Sequence, residues 1–182
     1  RTVAVVSVRM VQADRIVLAA TVTAGRLSDG NADWAELPEM PAVPPPDAVD
    51  LGQYPQIGSL ARAGQLHGDP QTLGFSRNER GVPVIRGWAR PRGEEPDVLF
   101  ALLAGDALPP TVFNARGVGA GWAPTVQMTA FLRARPRPGW LRLCSRSTSV
   151  TGCWFDEETL VIDQAGRLIC QSRQLALAPL PR

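Results

Sequence analysis

The stretch PRGEEPDVLFALLAGDALPP, residues 91–110, decides the fold. It reads as a helix from about Glu94 to Ala107. Acidic residues at its start suit the positive end of the helix dipole. Pro96 is tolerated in a first turn, and Pro109 and Pro110 stop the helix. Leu99, Leu102 and Leu103 form an apolar stripe, and Asp106 continues it at helical spacing. Just before the helix, VPVIRGWAR (82–90) reads as a strand. After it, beyond the glycine-rich ARGVGAGW (115–122), four strands are expected at 125–135, 140–150, 153–162 and 167–177. Asp163, Gln164, Ala165 and Gly166 make a tight turn between the last two. Strand, long helix and antiparallel meander together predict an α+β unit, with the helix packed on one sheet.

Upstream the character changes twice. Residues 2–11 and 15–24 are rich in Val, Ile and Thr and are separated by Gln12, Ala13 and Asp14, which predicts a β-hairpin. A hairpin alone buries too little to be stable, so it is expected to belong to a larger sheet. Arg1 runs straight into that strand with no methionine, and further residues are expected upstream. Between the two units, PEMPAVPPPDAVD (38–50) holds five of the chain's 17 prolines and reads as a stiff connector. The expected organisation is therefore 1–27 as one unit, 28–71 as a proline-rich linker and 72–182 as the second unit.

The composition narrows the chemistry. A formal net charge of +2 on 182 residues gives no reason to expect a nucleic-acid partner. No run of 18 apolar residues exists, so no membrane-spanning helix is expected. All 19 basic residues are arginine, which excludes lysine Schiff-base and phosphate-loop chemistry. The single histidine, His67, lies in GQLHGDPQ and reads as a surface-loop residue, which leaves Ser-His-Asp catalysis without a base. Cys144, Cys153 and Cys170 have no metal-ligand spacing and fit a reducing cytoplasm, so neither a metal nor a cofactor is expected.

A carboxylate on an apolar helix face is a different matter. Burial and the negative end of the helix dipole would both raise the pKa of Asp106, so that it could act as a general base near neutral pH. A frayed last turn would instead leave it in solvent. Thr125 opens a strand, and Gln174 alternates with Cys170 and Ser172 on one strand face, either pointing inward or satisfied at the surface.

Three segments carry a resemblance. VLFALLAGDALPP, APTVQMTAFLRARPRPGWLRLCS and DQAGRLICQSRQLAL are similar to the C-terminal repeat of the type II acyl-CoA thioesterases, which are double-hotdog enzymes. That family has an aspartate near the end of the hotdog helix, a threonine that starts a strand, and a last strand of the form D-x-x-G-x-L-x-x-x-x-x-Q. Here those positions are Asp106, Thr125, and the run Asp163, Gly166, Leu168, Gln174. The hairpin 1–24 resembles the last strands of the family's first repeat. Where the family often has Asp-His after the threonine, this chain has Val126 and Gln127, which makes Thr129 a second candidate and marks a divergent member.

The resemblance implies a hotdog fold with an incomplete first repeat, its sheet joined edge to edge with the second. It implies a cytoplasmic thioesterase of fatty acid metabolism that acts on medium- to long-chain acyl-CoA and assembles as a homo-oligomer through its hotdog sheets. It also implies a mechanism in which Asp106, Thr125 and Gln174 hold one attacking water, with Asp106 as base. Two other readings stay open: a non-catalytic hotdog module that binds acyl-CoA or a related ligand, and a purely structural or interaction role.

Overall fold

The computed structural model describes residues 2–54, 64–119 and 121–179. In chain order its elements are β1 (Val3–Gln12), β2 (Arg15–Gly25), β3 (Val49–Asp50), β4 (Gly64–Gly68), β5 (Val84–Pro91), α1 (Val98–Ala104), β6 (Thr125–Leu132), β7 (Leu141–Arg146), β8 (Val150–Thr151), β9 (Trp154–Ile162) and β10 (Leu168–Leu177). Strands β3 to β10 form one antiparallel sheet in the order β3-β4-β5-β7-β9-β10-β6, with β8 paired to β9. Helix α1 lies against β6, β7 and β10. The arrangement is α+β, one helix on a large antiparallel sheet, as the sequence predicts.

The core fills the space between helix and sheet. Period-two alternation sends one side of each strand into it: Leu141 and Leu143 from β7, Val161 from β9, and Cys170 from β10 are all 0% exposed. The helix contributes Ala101 and Ala104, also 0% exposed. Of the expected stripe of leucines, Leu103 packs against this core, whereas Leu99 is 70% and Leu102 38% exposed. Both sets recur at helical spacing. Alanines win because their short side chains let the helix axis approach the sheet closely, which bulky leucines would prevent.

The helix is also shorter than 94–107. Asp97 caps it by accepting a hydrogen bond from the Phe100 amide at 2.7 Å. Pro96 keeps the preceding residue out of the helical region. Glu95 is turned instead toward the β6–β7 connection, where it accepts from the Gly139 amide at 2.7 Å.

Three further expectations change. Residues 28–71 are not a linker throughout: β3 and β4 belong to the main sheet. The proline-rich part lies across that sheet's outer face, where the Trp88 indole donates to the Pro41 carbonyl at 2.8 Å and Arg142 to the Met40 carbonyl at 3.2 Å. His67 sits in β4, not in a surface loop, and meets the Trp140 ring edge to face at 5.2 Å. Glycines at both ends of β4 masked its strand character in the sequence.

Finally, β1 and β2 do form the expected hairpin, but among the described residues it pairs only with itself, as a separate two-stranded sheet. All its strand residues are exposed. Among the described residues, the pairing that links this region to the main sheet is one isolated bridge between Ser28 and Ala134. The expected edge-to-edge junction of two sheets is absent from the described residues.

Candidate active site

Helix α1 ends where Gly105 caps it, its amide bonding back to the Ala101 and Leu102 carbonyls. The next strand over holds that end in place: the Ser172 hydroxyl of β10 donates to the Gly105 carbonyl at 2.5 Å. A β-carbon at position 105 would stand 3.2 Å from Ser172 Oγ and 3.1 Å from the Leu102 carbonyl oxygen, so glycine permits this close approach. Asp106 follows immediately, half-buried, and is thereby delivered to the inner face of β10.

On that face β10 alternates Ser172, Gln174 and Ala176 inward, and Gln174 is 8% exposed. The Gln174 amide gathers three side chains. Its Nε2 donates to Asp106 Oδ1 at 3.0 Å and to Glu157 Oε1 at 3.1 Å. Its Oε1 accepts from the hydroxyl of Thr125, at the start of β6, which is paired to β10. The structure thus brings Asp106, Thr125 and Gln174 together. Thr129 points away, on the outer face opposite Arg173, in a shallow groove with Phe131 and Asp156.

Glu157 was not anticipated from the sequence. It is 3% exposed and accepts two hydrogen bonds from Thr111, from the amide and from the hydroxyl, each at 2.7 Å. The Thr111 hydroxyl also lies 2.7 Å from Ser147 Oγ. A signal existed in WFDEETLVI, because Phe155 and Val161 fix the inward phase of β9 and that phase also contains Glu157 and Thr159. The run of charged residues around it conceals this alternation.

The electrostatics follow from burial. Desolvation raises the pKa of Asp106, and the Gln174 hydrogen bond opposes it. Desolvation pushes the Glu157 carboxyl up to about 7 against the Thr111 bonds, with the nearby Asp106 charge pushing the same way. The Cys170 thiol is pushed up to about 11 by burial, so it stays protonated and is no nucleophile.

Residues 35–178 match the acyl-CoA thioesterase C-terminal domain family. The chain belongs to the acyl-CoA thioesterase family. An uncharacterized protein of Mycobacterium tuberculosis (strain H37Rv) is 37% identical over 198 residues, spanning 98% of this chain and 67% of that protein. A candidate thioesterase II of Thermobifida fusca YX is 32% identical, covers 98% of this chain and 68% of its own, and superposes with a TM-score of 0.80. A hotdog-fold protein of unknown function from Alicyclobacillus acidocaldarius gives a TM-score of 0.75 at 24% identity, covering 100% of this chain and 69% of its own, and supports the fold alone.

Within this thioesterase chain, the terminal D-x-x-G motif serves the fold. Asp163, 0% exposed, accepts from Arg167 Nε at 3.0 Å, from Arg167 Nη2 at 2.8 Å, and from the Arg167 and Arg137 amides at 2.9 and 3.1 Å. Gly166 supplies the positive φ (84°) that the turn into β10 needs.

Proposed function

We propose that the chain hydrolyses acyl-CoA thioesters, of medium to long acyl chain, to free fatty acid and CoA, with Asp106, Thr125 and Gln174 activating one water. The observation that carries this is the Gln174 amide, which bonds Thr125 and Asp106 at once. Its donors and acceptor impose a polarity. Asp106 Oδ1 is occupied by Gln174, and among the described residues Oδ2 has no hydrogen-bond partner. Thr125 spends its proton on Gln174, so its oxygen is left to accept. A water between them can donate one hydrogen to Asp106 Oδ2 and the other to Thr125 Oγ1, and its lone pair then points at the thioester carbonyl carbon.

Attack forms the new C–O bond as Asp106 takes the water's proton. The tetrahedral oxyanion collapses, the C–S bond breaks, and the departing thiolate takes that proton back. No covalent enzyme intermediate is needed. The raised pKa of Asp106 makes its carboxylate a better base.

Asp106→Asn keeps the shape and removes the proton acceptor. With general-base assistance worth about 10² to 10⁴ in rate, kcat falls at least about 100-fold with KM little changed. Steady-state hydrolysis across straight-chain acyl-CoA from four to sixteen carbons is the measurement, with kcat/KM expected to peak in the upper half of that range. A variant as fast as the parent would end this mechanism.

A further inference from the structure

We propose that Glu157 is a positioning residue that fixes the direction of the hydrogen bonds linking Gln174, through Asp106 and Thr125, to the attacking water. The inference rests on the catalytic reading above and extends it to a side chain that touches no substrate.

A glutamine amide can sit in either of two orientations, related by a flip about its last torsion. Only one leaves Thr125 donating to Gln174 and able to accept from water. Two carboxylates hold Gln174 in that orientation, one for each of its N–H bonds. They are not equivalent during turnover. Asp106 is neutralised when it takes the water's proton, and its hold on the amide weakens at that moment. Glu157 lies deeper and takes no part in the proton transfer, so its hold persists.

The surroundings of Glu157 are built for an anion. The Thr111 amide can only donate, and so can Gln174 Nε2. A proton on Oε1 would confront the Gln174 N–H and favour the flipped amide, which would turn a carbonyl oxygen toward Asp106 and an N–H toward Thr125. Asp106, at the end of α1, is the titratable group that faces Glu157. Thr111, Gln174 and Ser147 behind Thr111 are neutral. Asp156, Glu158 and Arg173 flank it in sequence and register but stand on the opposite face of the sheet. Burial poises the carboxyl near neutrality, so the orientation of Gln174 should respond to pH around 7.

Two readouts test this. In the first, the Gln174 side-chain amide is followed by ¹H–¹⁵N NMR as pH is varied. In the parent its shifts move with a midpoint near 7, in Glu157→Gln that transition is gone, and in Thr111→Val it moves to higher pH because a bond that favours the anion is lost. In the second, acyl-CoA turnover is measured for the same proteins. Glu157→Gln loses at least 10-fold in kcat at pH 8 with KM held within about two-fold, and the acid limb near neutrality disappears from its profile. Thr111→Val is the milder variant and carries both readouts should Glu157→Gln fold poorly. An amide that does not titrate in the parent, or a Thr111→Val profile whose acid limb stays in place, overturns the inference. A titrating amide in a protein that hydrolyses no acyl-CoA leaves the coupling standing and overturns the catalytic reading instead.

Discussion

At the scale of the residue, the site is a set of carboxyls kept at different costs. Glu157 has a folded pKa of about 7 against an ordinary value of 4.5, and that of Asp106 is raised as well. A carboxyl raised on folding binds its proton more tightly in the native state. Its stabilising effect is complete below the ordinary pKa and is lost as pH rises toward the folded one. Stability should therefore fall from about pH 4.5 to about pH 7, by no more than about 1.4 kcal/mol per pH unit for one such group. Glu157→Gln should flatten that slope, and urea unfolding of parent and variant at half-unit pH intervals checks it. A parent whose stability rises through this range would contradict the assignment. Asp163 contributes through an ion pair instead. It is fully buried against Arg167, and Asp163→Ala leaves that guanidinium, 9% exposed, without its partner. The expected loss is about 3–5 kcal/mol in the same urea experiment. Asp106→Asn should cost little or stabilise. Two aspartates that the family resemblance singles out in separate segments are thus separated by their energetics.

At the scale of the element, the chemistry depends on how closely the end of α1 meets β10. Gly105→Ala is a probe of that approach alone. Its added methyl would lie 3.2 Å from Ser172 Oγ and 3.1 Å from a backbone carbonyl, so the helix end must shift by a few tenths of an ångström. That displacement stretches the 3.0 Å bond between Gln174 and Asp106. Turnover should fall about 10-fold while stability drops by about 1–2 kcal/mol, in keeping with mild overpacking. Normal kcat in that variant would mean the close approach is not needed. The same elements show what a sequence can reveal. The turn Asp163–Gly166 and the strands on either side were legible because turn chemistry and β-branched runs are local signals. Cys170 and Ser172 offered an inward phase for Gln174, but strand alternation alone left a surface position open, and the structure settles it inward. The packed face of α1 was legible only at Leu103, because Ala101 and Ala104 share the helical period with Leu99 and Leu102 and only the approach to the sheet chooses the alanines. Glu157 was missed because a charge in a run of charges reads as surface, although its phase is set by Phe155 and Val161.

At the scale of the whole molecule, the two sheets have different claims to stability. The main sheet gains from a core that α1 covers, and β4 within it was hidden from sequence reading by its glycines and by the prolines before it. The hairpin β1–β2 has a strong local signal, yet among the described residues no core covers it. Val5 is 67%, Met10 56% and Ile16 57% exposed, and the two turn residues, Ala13 and Asp14, hold positive φ values of 47° and 62° without the help of glycine. A two-stranded hairpin is at best marginally stable in water, and backbone strain at a non-glycine turn weakens it further. Hydrogen exchange on the 182-residue chain separates the two regions. Amides of β9 and β10 should exchange near the global unfolding limit, and those of β1 and β2 at least about 10³-fold faster, a gap of about 4 kcal/mol. Concentration is the control. If a second copy covers the hairpin, its protection rises as protein concentration is raised. Protection equal to that of β9 and β10 at every concentration would mean that the hairpin is stabilised within its own chain, contrary to its exposure on both faces.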